Sequence, residues 1–300
     1  MIQFLTTQKK LIIMKTAVIT TGGLGTRMLT FTKSNPKTML PVYTKSNDSS
    51  PTPMFKPLIE YIFENLYDYG FRRFCFIVGS KTKSVISNHL EPESKFIELL
   101  QSRNLPEDKR FINALLKLYT KVKNCEIKWI TQDTPSGFGD ALLSAKKFVK
   151  KETFLLHAGD TYFPDYQFLK KFIAMHEKSN NSSGSIVVKK MSKLKGYGIA
   201  QTKKQKGENI VIELEEKPIK PKSNQAILPL YVFKPEIFTA LKNTNKGYNK
   251  ELQVTDAIMT LVKNEKKILS YDYGRSKWFD IGRPSHYFTA LTYSYKQSSN

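Results

Sequence analysis

Apolar positions along the chain keep one rhythm up to about residue 184 and another after it. KTAVITT at 15–21 is a continuous, β-branched run closed by glycines, which predicts a strand buried on both faces. Leu58, Ile59, Ile62, Phe63 and Leu66 then recur at helical spacing, with Pro57 suited to a first helical position and Gly70 to a stop. FCFIVG at 74–79, CEIKWITQ at 125–132 and TFLLHAGD at 153–160 are the next predicted strands. Between them lie one or two charged surface helices over about 94–122. Phe138, Ala141, Leu142, Ala145, Phe148 and Val149 mark a further helix with one apolar face. Strand and helix alternating at this spacing predict an α/β fold: a mostly parallel sheet with helices on both faces, joined by right-handed crossovers.

After residue 184 the helices thin out. SIVVKKM, GIAQTKK, NIVIELEEK and AILPLYVF read as strands with short links, so a small additional β region of mixed or antiparallel pairing is expected in the C-terminal half. Two helices follow at about 235–243 and 255–264, then ILSYDYG, KWFDIG and a terminal helix and tail over 284–300. The reading gives an N-terminal extension at 1–14, since Met14 would also serve as a start, and one domain over 15–292. TKSNDSSPTP at 44–53 is a flexible loop by composition.

Composition narrows the class. Of the 300 residues 40% are apolar and spread along the whole chain, enough for a sizeable core, and no apolar run approaches the ~20 residues of a membrane span. The opening MIQFLTTQKKLIIMK is too broken for a signal peptide, so a soluble cytoplasmic protein is expected. Cys75 and Cys125 sit in or beside apolar runs as small hydrophobes, and the four histidines show no ligand spacing, which argues against metal held by thiolate and imidazole. The net charge of +22 permits nucleic-acid binding or the handling of small anions. The excess comes from 41 lysines against seven arginines, scattered rather than gathered into an arm, and lysine is the poorer reader of base edges. No nucleic-acid partner is expected.

Three polar features fall at predicted strand ends, where open α/β sheets bind ligands: a glycine loop, QDTPSG at 132–137, and Gly159-Asp160. The loop has Gly22, Gly23 and Gly25, then Thr26, Arg27 and, ten residues on, Lys37. It lacks the lysine and hydroxyl residue that a Walker loop places after its last glycine, and methionine at 28 breaks the dinucleotide fingerprint. Taken alone, it could still be a tight strand-to-helix turn without a ligand.

GGLGTR, PKTMLPV, KPLIEYI, QDTPSGFGDAL, GDT, GYGI, EEKP, SNQAI, ELQVTDAI and WFDIG, in this order, resemble the sugar-phosphate nucleotidyltransferases over about residues 15–292. Each piece is weak alone; the ordered set is specific. Within that family it is most similar to the prokaryotic branch that works on UTP and glucose 1-phosphate, and close to the branch that uses dTTP. The resemblance implies a Rossmann-like fold, with a nucleotide-binding part over about 15–183 and a sugar-binding part over about 184–283. It also implies Mg²⁺ as cofactor and a homodimer or homotetramer. The implied reaction joins a nucleoside triphosphate to a sugar 1-phosphate; a regulatory homologue that senses nucleotide without turnover is the alternative.

The residues suit that chemistry. The sugar phosphate is itself an ionised nucleophile at neutral pH, so no general base is needed. The task is to bring two polyanions together by positioning and charge stabilisation. By the family pattern Gly22, Gly23, Gly25 and Thr26 would meet the triphosphate through backbone amides, with Arg27 on the leaving diphosphate and Lys37 near the α-phosphate. Gln132 carries a donor and an acceptor that match the N3–H/O4 edge of uracil or thymine, and the Gly137 backbone would complete base recognition. Glu216, Gly198 and Asn224 would line the sugar pocket, Lys217 would neutralise the sugar phosphate, and Asp160 and Asp280 would ligate Mg²⁺. The chain departs from the pattern in four places: a longer loop over Thr44–Phe55, Thr38 in place of Glu or Gln, Pro229 in place of Gly, and Asp140 where histidine is common.

Overall fold

The computed structural model describes residues 14–45, 52–103, 106–134, 136–179 and 181–299. The expected extension at 1–14 lies outside these residues apart from Met14, which is buried in the core. The middle of the Thr44–Phe55 loop, 46–51, also lies outside them.

The strands are β1 Thr16–Thr20, β2 Pro41–Thr44, β3 Met54–Pro57, β4 Arg73–Gly79, β5 Glu126–Gln132, β6 Phe154–Ala158, β7 Thr161–Tyr162, β8 Ser182–Lys190, β9 Ile199–Gln205, β10 Glu208–Glu215, β11 Gln225–Phe233, β12 Lys267–Asp272 and β13 Phe279–Asp280. Nine of them form one sheet in the order β5-β4-β1-β6-β11-β8-β12-β10-β9. The first four are parallel neighbours, as the alternation of strand and helix predicts. β11 then runs antiparallel to both β6 and β8, β12 is parallel to β8, and β10 and β9 close the far edge antiparallel. The strands after residue 184 thus continue the main sheet instead of stacking on it.

Burial on both faces is visible residue by residue. Ala17, Ile19, Phe74, Phe76 and Leu155 point into one core layer. Their neighbours Val18, Cys75, Ile77, Phe154 and Leu156 point into the other. The first layer is covered by helices Leu58–Asp68, Pro106–Lys123, Gln167–Lys178 and Pro284–Ser298, the second by Phe138–Ser144, Glu236–Lys242 and Val254–Lys263. Cys75 is buried and both cysteines are free thiols; burial pushes the Cys75 thiol up to about 12. Among the described residues no helix is long and apolar enough to cross a membrane.

Three details differ from the pattern in the sequence, the first being that Pro57, read as a first helical position, ends the unexpected strand β3, with the helix beginning at Leu58. The helix expected across 138–149 is two, Phe138–Ser144 and Lys146–Val149, meeting at Ala145, whose ψ of −6° opens the turn between them. A helix over Lys83–Leu90 was not expected; only Ile86 and Leu90 are buried in it, too few to set a periodicity.

Two short ladders place the site. β2 and β3 pair antiparallel and rest against the C-terminal helix, where the Tyr287 hydroxyl donates to the Pro41 carbonyl at 2.9 Å. β7 and β13 pair over two residues, Asp280 opposite Thr161, and the Ile281 N–H donates to the Asp160 carbonyl at 3.1 Å. This small ladder brings the two aspartates together.

Candidate active site

The glycine loop leaves β1 at the carboxyl edge of the parallel strands. Thr21 anchors it twice to the Ile77 carbonyl, through its N–H at 2.7 Å and its hydroxyl at 3.0 Å. Gly25 adopts φ 64°, and a Cβ there would lie 2.7 Å from Thr32 Cγ2, so the turn requires glycine. The Gly25 carbonyl then accepts from Met28 N–H at 2.8 Å and from the Thr32 hydroxyl at 2.9 Å, starting the short 3₁₀ turn Thr26–Met28. Gly23 has open space where its Cβ would be, so its backbone is bare toward the cavity.

That cavity has a volume of about 540 Å³. Gly22, Gly23, Gly25, Thr26, Arg27, Lys37, Gln132, Gly137, Asp160, Gly198, Glu216, Lys217 and Asp280 all line it. Asn224, the remaining predicted site residue, does not. It is exposed, and its backbone carbonyl accepts from Met191 N–H at 2.9 Å.

On one wall the Lys37 ammonium is paired with the Asp160 carboxylate, and Asp280 faces both. Burial pulls the Lys37 ammonium down, but Asp160 and Asp280 outweigh it and hold Lys37 above the usual lysine value. Burial raises Asp160, yet its lysine partner keeps the carboxyl below the ordinary range. Asp280 goes the other way, raised first by burial and then by the Asp160 carboxylate, against one N–H from Gly282 at 2.8 Å. A neighbouring pair of carboxylates in a polar cavity fits a magnesium ion, which commonly takes one or two protein carboxylates and completes its shell with water and substrate oxygens. Among the described residues no group of three or more His, Cys, Asp or Glu side chains converges as a metal site, so the protein's share here is this pair of carboxylates. Thr38 is buried against Gly159, where a Cβ would lie 2.8 Å from Thr38 Cγ2.

On the opposite wall Glu216 is held at both oxygens, by the Thr255 hydroxyl at 2.7 Å and the Lys217 ammonium at 2.9 Å. Lys217 has φ 46°, and its ammonium lies 4.8 Å from the centre of the Tyr248 ring. A Cβ on Gly198 would come within 3.2 Å of the Glu216 and Thr255 side chains, so any side chain there would press on the pair that fixes Glu216. Pro229 lines the same region where β11 shifts register between Leu228 and Tyr231, a break in the ladder that tolerates a residue with no N–H.

Between the walls, Gln132 ends β5 and Gly137 caps the helix Phe138–Ser144 at φ 112°, ψ 168°. The segment 251–253 straps across: Leu252 N–H donates to Ser136 O at 3.0 Å, and Leu252 O accepts from Gly139 N–H at 2.8 Å.

Sequence reasoning missed several lining residues. Glu251, Gln253 and Thr255 lie in ELQVTDAI, and Tyr197 and Trp278 in GYGI and WFDIG, segments quoted for the resemblance but nominated only at other positions or not at all. Trp278 stands out physically. Its ring packs edge-on against Tyr197 at 5.5 Å, and its indole N–H is buried with no protein partner among the described residues. A donor left so in a cavity wall points to a ligand acceptor.

Comparison with known proteins places the chain in a family. A family profile described as nucleotidyl transferase matches residues 16–297. The UTP–glucose-1-phosphate uridylyltransferase of Bacillus subtilis (strain 168) is 32% identical over 279 residues, covering 91% of this chain and 88% of its own. The protein of the same name from Mycoplasma pneumoniae is 30% identical over 284 residues, 93% of this chain and 91% of its own. Among solved structures, a UDP-glucose pyrophosphorylase complexed with UDP-glucose aligns at a TM-score of 0.78, with 24% identity over 95% of this chain and 100% of that one. The UTP-bound UGPase from Acinetobacter baumannii aligns at 0.73, with 25% identity over 94% and 93%. A sheet in this order, a glycine loop at its carboxyl edge and a profile match from β1 to the C-terminal helix lead to one statement: this chain belongs to the nucleotidyl transferase family.

Proposed function

We propose that the protein catalyses UTP + α-D-glucose 1-phosphate → UDP-glucose + diphosphate, a phosphate oxygen of the sugar attacking the α-phosphorus as the diphosphate leaves. The observation that carries this is a single cavity in which the glycine loop and Gln132 share space with Lys37 and the Asp160–Asp280 pair on one side and Glu216–Lys217 on the other. The curated relatives bear the name of this activity, which supports the choice of UTP and glucose 1-phosphate.

Each group then has a task. The glycine loop, with its bare backbone at Gly23, receives the triphosphate, and Arg27 holds the departing diphosphate through its planar fork. Lys37 stabilises charge that develops at the α-phosphate. Gln132 and Gly137 hold the base. Glu216 accepts hydrogen bonds from sugar hydroxyls while Lys217 neutralises the sugar phosphate. Asp160 and Asp280 would hold Mg²⁺, which when bound offsets the charge of the converging phosphates.

The test is a panel of purified protein, MgCl₂ and glucose 1-phosphate with each nucleoside triphosphate in turn, following diphosphate release. UTP is expected to be turned over, with dTTP as the second donor because uracil and thymine share the same edge. Release with ATP or GTP alone overturns the role of Gln132, and nucleotide binding without release with any donor makes the protein a sensor. The same reading has the enzyme acting in the cytoplasm as a homodimer or homotetramer; sedimentation of a monomer at assay concentration overturns that part.

A further inference from the structure

Gln132 does not stand alone. Its Nε2 donates to Asp140 Oδ2 at 2.7 Å, across the turn that joins β5 to the helix Phe138–Ser144. A carboxylate only accepts hydrogen bonds, so the side of the amide that faces Asp140 has to be its NH₂ group. The orientation of the amide is therefore dictated by chemistry. Oε1 is directed the other way, toward the glycine loop, where a Cβ on Gly22 would lie 3.2 Å from it. Asp140 itself does not line the cavity, whereas Gln132 does.

We infer that Asp140 is a positioning residue for base selection: it locks the Gln132 amide so that the cavity is offered an acceptor oxygen beside the remaining N–H. This rests on the proposed reading that Gln132 meets the pyrimidine edge. Uracil and thymine present N3–H flanked by carbonyl oxygens, which complement a fixed acceptor and donor. Cytosine presents a bare N3 beside an amino group and needs the opposite amide. To serve cytosine, Gln132 would have to turn over, bringing Oε1 against the Asp140 carboxylate with no proton between two acceptors. The lock thus works by excluding an alternative, the repulsive element that specificity requires. It makes no distinction between uracil and thymine, whose edges are the same.

Replacing Asp140 with asparagine keeps the size and removes the constraint, because the new amide can turn to donate or to accept. Asp140→Ala removes the partner altogether. Dissociation constants for UTP, dTTP, CTP and glucose 1-phosphate are measured by calorimetry for wild type and both variants, with thermal melting to establish folding. In both variants the preference for UTP over CTP is expected to fall about tenfold or more, the scale of one unmatched polar contact. The UTP to dTTP ratio and the affinity for glucose 1-phosphate stay within about twofold. A UTP to CTP ratio unchanged in a folded variant overturns the lock while leaving uridine recognition standing. Equal weakening of all four ligands also overturns it, since that reports general damage. Wild type that binds UTP no better than CTP overturns both the lock and the uridine reading.

Discussion

Replacing Gly137 with alanine attacks the point where the helix Phe138–Ser144 meets the strap 251–253. At φ 112°, ψ 168° the backbone lies in a region open essentially to glycine alone, and a side chain there costs about 1–3 kcal/mol. The added methyl would also lie 2.5 Å from Leu252 O and 2.9 Å from Leu252 N and Glu251 Cβ, so the strap must retreat. Retreat loosens both hydrogen bonds of Leu252, to Ser136 and Gly139, at about 1 kcal/mol each. The sum is about 3–5 kcal/mol. At about 2.1 cal/mol/K per residue, 300 residues give an unfolding entropy of about 0.63 kcal/mol/K, hence a fall of about 5–8 °C in Tm. Differential scanning calorimetry of the ligand-free protein reads this directly. Gly23→Ala is the matched control: nothing lies within 4 Å of its would-be Cβ, and a change of no more than about 0.5 kcal/mol is expected. A Gly137→Ala protein that melts within about 1 °C of wild type refutes the reasoning.

Asp280→Asn and Lys37→Ala should each cut diphosphate release about 10²–10³-fold in folded protein, and near-normal rates would remove those residues from the mechanism. Phe63→Ala should cost about 3–5 kcal/mol in urea unfolding, because its ring is fully buried and packs 4.8 Å from Phe74; a loss under 1 kcal/mol would contradict that packing. Burial holds His157 and His176 down to about 4, so between pH 6.5 and 4 the unfolded chain binds protons that the native one does not. Stability should therefore be flat just above pH 6.5 and fall as pH drops toward 4, by on the order of 3 kcal/mol per histidine; unfolding midpoints that hold steady from pH 7 to 4.5 would refute this.

The parallel half of the sheet was legible because β1, β4 and β6 are largely apolar runs followed by glycine, although β5 alternates and ends in Gln132, and Leu58–Leu66 carries an unambiguous helical period. The break at Ala145 was not: nothing in a run of apolar positions says that the helix will divide at one of them. In the site, the glycine loop was legible through Gly25, whose left-handed backbone the sequence signals by residue type alone. The partners were not. Lys37 with Asp160 and Glu216 with Thr255 are contacts between segments that only the folded sheet brings together, and Gln132 meets Asp140 only through the shape of the turn after β5. Asn224 was assigned to the sugar pocket by its place in an ordered motif alone; in the fold it is exposed, does not line the cavity and accepts from Met191 N–H through its carbonyl.

The two-residue ladder of β7 with β13 has a consequence for how the protein comes into being. A chain still emerging from the ribosome holds its glycine cradle, Lys37 and Asp160 before the strand that presents Asp280 has been made. Copies that stop short of β13 lack the second carboxylate, and on the proposed reading they lack one of the two groups that would hold Mg²⁺.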